Sequence, residues 1–144
     1  MKRGIAVTII TCVLAAVSAC GSSAARAQDT SGDRASCSEG RSPELIISAC
    51  DAVIASGNET SENLARAFNN RGLAYARLND LPRAISEFDQ AVRANPRYSE
   101  AYRNRGGVFA MQGDYLRAIT DLDEAVRLDP RNVKAFQNRA LSYQ

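Results

Sequence analysis

A stretch of 34 residues, 65–98, is followed without a gap by a second version of itself at 99–132, and a third begins at Val133 and breaks off at Gln144. Superimposing the two complete copies leaves 15 of 34 positions unchanged: Ala67/Ala101, Asn70/Asn104, Arg71/Arg105, Gly72/Gly106, Ala76/Ala110, Asp80/Asp114, Arg83/Arg117, Ala84/Ala118, Ile85/Ile119, Asp89/Asp123, Ala91/Ala125, Val92/Val126, Arg93/Arg127, Pro96/Pro130 and Arg97/Arg131. A fixed period of that length belongs to stacked supersecondary units, so the chain reads as an array. An array offers a binding surface without saying what it binds.

Each copy holds two amphipathic helices. In the first copy Leu64, Phe68, Gly72, Tyr75 and Leu78 fall at helical spacing, and Leu81, Ala84, Ile85, Phe88, Ala91 and Val92 repeat the pattern in a second helix. The second copy keeps these apolar positions as Tyr115, Ala118, Ile119, Leu122, Ala125 and Val126. Asp80 and Asp114 are N-cap residues, Pro82 suits a first turn, and Asn95-Pro96 and Asp129-Pro130 end the second helices. Upstream, residues 46–57 align with 84–95, which gives a leading helix over 43–57 with Ser42-Pro43 at its start and Gly57 at its end. Six helices result: one leading, two pairs and one trailing. The open trailing helix suggests the front part of a longer protein.

Phe68, Gly72, Tyr75, Ala84, Phe88, Ala91 and Pro96 in the first copy resemble the tetratricopeptide repeat pattern. So do Tyr102, Gly106, Phe109, Gly113, Ala118, Leu122, Ala125 and Pro130 in the second, and Phe136, Ala140 and Tyr143 in the third. The resemblance implies an all-α solenoid of helix-turn-helix units in a right-handed superhelical stack. Small residues at Gly72/Ala84 and Gly106/Ala118 would let the helices of a pair touch. The sequence departs from the pattern at Arg71, Arg105 and Arg139, where an aliphatic residue is commoner. An unpaired buried charge is expensive, so Asp51, Asp89 and Asp123, recurring on the second helices, are the expected partners.

The first 27 residues form a different element. Lys2 and Arg3 precede an apolar run from Ile5 to Ala19, followed by small residues, which describes a secretory signal too short for a membrane span. Two processing sites compete: Ala25-Arg26-Ala27 before Gln28 for release, and Val17-Ser18-Ala19-Cys20, which resembles a lipobox and would make Cys20 a lipidated N-terminus. Either route leads to the bacterial envelope, as a periplasmic or secreted protein or as an outer-membrane lipoprotein. Residues 28–42 read as a flexible polar segment. Of four cysteines, Cys37 and Cys50 remain as a pair in an oxidising compartment, which favours a disulfide; a buried free thiol at Cys50 is the alternative.

Charge excludes more than it suggests. Without Lys2, Arg3 and Arg26 the 18 basic residues become 15 against 16 acidic, a balance with no nucleic-acid character. The chain has no histidine, so a serine or cysteine nucleophile lacks its usual base, and no metal-ligand spacing appears. Asp121, Asp123 and Glu124 point outward or toward the repeated arginines and read as a solvated face rather than an acid–base site. No catalytic residue, cofactor or metal is expected.

In tetratricopeptide arrays the free face of the first helices lines a concave groove. Here that face carries Arg66, Asn70, Leu73 and Arg77, then Glu100, Arg103, Asn104, Gly107 and Met111, then Lys134, Gln137, Asn138 and Leu141. Asn70, Asn104 and Asn138 recur one repeat apart, and an amide that donates and accepts can hold an extended peptide backbone. Asn there can equally serve the array's own packing. Similarity to the carboxylate-clamp arrays of co-chaperones is partial: Asn104 and Lys134 match, but Asn69, Leu73 and Asn138 stand where that clamp has Lys, Asn and Arg. The expectation is a non-catalytic envelope scaffold whose groove, with Arg66, Asn70, Arg77, Arg103, Asn104, Lys134 and Asn138, takes a protein or peptide ligand. The alternative is the recruiting module of an enzyme whose catalytic part lies beyond residue 144.

Overall fold

Two kinds of sequence signal, the caps and the tight turns, fix where the chain turns helical. The structure, a computed structural model, describes residues 31–142, so the leader with Cys20 and the last two residues lie outside the described part. Seven helices follow one another: α1 (Ser31–Glu39), α2 (Pro43–Ala55), α3 (Ser61–Arg77), α4 (Leu81–Ala94), α5 (Ser99–Met111), α6 (Tyr115–Leu128) and α7 (Val133–Ser142), with no strand among the described residues. Ser42 and Thr60 cap α2 and α3, and the Asp80 and Asp114 carboxylates accept from the Arg83 and Arg117 backbone N–H groups at 3.1 Å. Just before those caps, Asn79 (φ 60°) and Gly113 (φ 78°) sit one repeat apart in the left-handed region, where Asn and Gly are tolerated.

One expectation fails at the start of the chain. Residues 31–39 are helical, not part of a flexible segment over 28–42, and α1 packs against both α2 and α3, so α1 and α2 form a leading pair. α1 has few apolar side chains to hold it. Its attachment is covalent and ionic instead: Cys37 is disulfide-bonded to Cys50 of α2 (S–S 2.11 Å), and Arg34 pairs at 2.6 Å with Glu59, whose side chain is only 1% exposed.

Helices pack pairwise in chain order, and α1, α3, α5 and α7 also touch in succession. No Cα of α2 comes within 8 Å of α4, nor any of α4 within 8 Å of α6. The even helices therefore fan out on the convex side and the odd ones close up on the concave side. α3 lies among four neighbours, and its fully buried residues are small: Ala65, Ala67, Gly72 and Ala74, with Asn69. Gly72 faces Phe88 rather than Ala84, for an added Cβ would lie 2.7 Å from the Phe88 ring. At Gly106 a Cβ would meet Leu122 at 3.0 Å and the Ala118 carbonyl at 3.1 Å. Tyr115 and Leu78, expected on apolar stripes, are about half exposed at helix ends.

The repeated arginines find the partners anticipated for them. Arg71 pairs with Asp51 of α2 and, at 2.7 Å, with Glu87 of α4. Arg105 pairs at 2.6 Å with Asp89 of α4 and makes two bonds to Asp121 of α6, at 2.7 and 2.8 Å. Arg139 reaches Asp123 of α6 at 3.0 Å. Hydrogen bonding to Asp121 is the main reason the Arg105 pKa is raised, so its charge is permanent.

Two adjacent glycines should respond in opposite senses to one methyl group. Gly106→Ala should lower the melting temperature, because a Cβ 3.0 Å from Leu122 and 3.1 Å from the Ala118 carbonyl pushes α6 away by a few tenths of an ångström, and overpacking costs about 1–3 kcal/mol. Gly107→Ala should raise it, with up to about 1 kcal/mol of helix propensity gained and only Asn138 nearby, at 3.8 Å. Equal responses in thermal unfolding would contradict the packing. Arg105→Leu should cost about 2–4 kcal/mol by leaving Asp121, 8% exposed, without its partner. Adding Asp121→Leu should recover a large part of that loss; a double variant no more stable than the single would show that the pair is not what matters.

Candidate binding groove

The concave face is built by the odd helices and divides into two clefts. The first, about 480 Å³, lies between α1, α3 and the start of α5 and is lined by Arg34, Asn63, Arg66, Asn70, Tyr98 and Glu100, among others. The second, about 360 Å³, lies between α3, α5 and α7 and is mainly apolar. Leu73, Ala76, Gly107, Ala110, Met111 and Leu141 form most of it, with Arg103, Asn104 and Asn138 as its polar members.

The residues expected in the groove are thus spread over one face but not at one point. Arg66 and Asn70 belong to the first cleft; Arg103, Asn104 and Asn138 belong to the second. Arg77 lies beside Asn70 and Leu73 in a narrower gap against Cys37 and Ser38 of α1. Lys134 is exposed near the start of α7 and lines none of these clefts. The three asparagines are not equivalent rungs. Asn104 is 8% exposed and its side-chain N–H donates to Asn69 Oδ1 at 2.7 Å, while the Asn69 amide donates to Asn70 Oδ1 at 3.5 Å. α3 and α5 approach closely here, so this amide is spent on packing.

Electrostatics give the face a sign. Arg66 lies 3.7 Å from Glu62, whereas Arg77, Arg103 and Lys134 have no ion-pair partner among the described residues. Glu100 is the carboxylate of the first cleft, and the Tyr98 hydroxyl donates to it at 2.6 Å. Burial, together with that bond, raises the Tyr98 pKa, so the hydroxyl keeps its proton and its hold on Glu100 at neutral pH. Among the described residues no carboxylate lines the second cleft.

Sequence reasoning missed Arg34, Tyr98 and the whole of α1 as a wall. Residues 31–39 carry no apolar stripe that would signal α1. Among the described residues no group of three or more His, Cys, Asp or Glu side chains could hold a metal ion, and no helix is long and apolar enough to cross a membrane.

Comparison with known proteins agrees with this geometry. Residues 64–133 match the tetratricopeptide repeat family model. Over those residues the stack has the architecture of a tetratricopeptide repeat array. Such arrays are non-catalytic scaffolds, in keeping with the helix pairs and the concave face. Crystal structures of MamA are similar over 70% of this chain at 24% identity; for one, the TM-score is 0.62 and 57% of its own length is covered. This chain therefore spans a little over half of those relatives. The Arabidopsis OM64 tetratricopeptide domain is similar over 81% of this chain and 93% of its own, with TM-score 0.70 and 18% identity. The first such domain of Spaghetti (RPAP3), bound to the HSP90 peptide SRMEEVD, gives 0.67 at 22% identity over 78% and 86%. At these identities the likeness is one of fold. No curated protein sequence matches the chain.

Because α1 contributes Arg34 to the first cleft, the disulfide should control that wall. Closing a loop of this size contributes about 2–3 kcal/mol. Reduction, or Cys50→Ala, should lower the melting temperature and speed amide hydrogen exchange at 31–39, leaving α5 and α6 nearly unchanged. Unaltered exchange at 31–39 after reduction would mean that α1 is held by other contacts.

Proposed function

We propose that this chain is a non-catalytic scaffold of the bacterial cell envelope that takes an acidic segment of a protein partner in its concave groove. The observation that carries the reading is the set of unpaired cations, Arg77, Arg103 and Lys134, one on each of α3, α5 and α7. Elsewhere Arg71, Arg83, Arg105, Arg117 and Arg127 are neutralised by neighbouring carboxylates, while Arg41, Arg93, Arg97 and Arg131, off the concave face, also have no ion pair among the described residues. Two of the similar structures were determined with acidic peptides, SRMEEVD and SGPTIEEVD, which supports the same sign of ligand here.

Export is supported by the leader-like start, Lys2 to Ala27, and by a disulfide that an oxidising compartment would preserve. On this reading the mature chain begins at Gln28, or at an acylated Cys20 anchored to the membrane. In an expressing bacterium, N-terminal sequencing distinguishes the first, and palmitate labelling abolished by Cys20→Ala distinguishes the second. A cytoplasmic protein that keeps Met1 contradicts both.

Binding is tested with a labelled acidic peptide and the triple variant Arg77→Ala, Arg103→Ala, Lys134→Ala. Exposed contacts contribute about 0.5–1 kcal/mol each, so affinity should fall about ten- to a hundredfold while helicity and melting temperature stay near wild type. Added salt should weaken the wild type in the same way. Wild-type affinity in the triple variant would remove the groove from consideration.

A further inference from the structure

A groove that is only positively charged would bind any acidic chain, yet this one has an apolar centre. Leu73, Ala76, Ala110, Met111 and Leu141 surround a hollow of about 360 Å³, within the range of ligand pockets. Met111 is 68% exposed and Leu141 65%, large apolar side chains that gain by being covered. Gly107 forms the floor. A Cβ there would meet nothing closer than Asn138 at 3.8 Å, in contrast to Gly106 next to it, so the absence of a side chain leaves space on the ligand side rather than serving the core.

The polar groups define what accompanies an apolar group into this hollow. Among the described residues Arg103 is the one charged residue that lines it. A chain terminus with an acidic last residue brings two carboxylates to one place and calls for several converging donors. Asn69 and Asn104, at positions where a clamp for such a terminus would be formed, are buried and bonded to each other at 2.7 Å. One carboxylate beside one apolar side chain is the match in charge.

We propose that the hollow between α3, α5 and α7, floored by Gly107, seats a single apolar side chain of an acidic internal segment, with Arg103 pairing the acidic residue beside it. This rests on the groove reading above and makes it specific: the ligand is an acidic stretch interrupted by a leucine-like residue, recognised away from its C-terminus.

The probe is a labelled acidic nonapeptide, amidated at its C-terminus, with one central leucine. Two companions carry glycine in place of the leucine, or a free C-terminal carboxylate. The full chain should bind the leucine peptide about tenfold more tightly than the glycine peptide, as expected for burying one such side chain. Gly107→Leu fills the hollow from within and should abolish this preference, leaving the weaker binding of the glycine peptide and a melting temperature at or above wild type. Met111→Ser, at an exposed position, should reduce the preference without affecting folding. Arg103→Ala should weaken both peptides. Equal wild-type affinity for the leucine and glycine peptides would overturn the apolar seat while the groove reading stands. A preference for the free carboxylate over the amide would overturn recognition of an internal segment. Binding of neither peptide at low salt would overturn both readings.

Discussion

One guanidinium per repeat holds this stack in register. Arg105 grips Asp89 on the preceding pair and Asp121 on its own, so a single side chain ties α4, α5 and α6 together. Arg71 does the same between α2, α3 and α4. A planar fork with fixed donor directions sets rotation as well as distance, which packing of aliphatic side chains alone sets more loosely. The arrangement stabilises little relative to a well-packed apolar alternative, but it is costly to break once one partner is gone. It ties each pair to the next, while the odd helices meet in succession along one face.

The same ladder sorts charge across the molecule. Asp51, Glu87, Asp89, Asp121 and Asp123 are all committed to the repeated arginines, and Glu124 to Arg127. These carboxylates sit on the even helices. Few remain to balance the cations of the concave side. A chain whose 18 basic and 16 acidic residues nearly cancel thus acquires a concave face with an excess of cations. Screening beyond about 8–10 Å makes that local sign, rather than net charge, the quantity a ligand meets.

The period, the caps and the partners of the arginines are legible in the sequence because each depends on residues a few positions apart or one repeat apart. Asp80 and Asp114 cap helices with the geometry that their position implies. α1 is not legible, since its order comes from a disulfide and an ion pair to residues 13 and 25 positions away. The buried side of α3 is also hidden: alanine carries most of it, and alanine marks no apolar stripe. Asn104 falls on the groove face by spacing, yet the closeness of α3 and α5 turns its amide to Asn69. Periodicity places a residue on a face; only packing decides whether its polar atoms are available.

Ligand should meet the odd helices and not the even ones. Backbone amide chemical shifts of the ¹⁵N-labelled chain, followed while an acidic leucine-containing peptide is added, read out which face is touched. The largest changes should cluster at Leu73, Arg103, Gly107 and Met111, with α4 and α6 nearly still. Shifts concentrated on α4 and α6, or spread evenly over both faces, would contradict it.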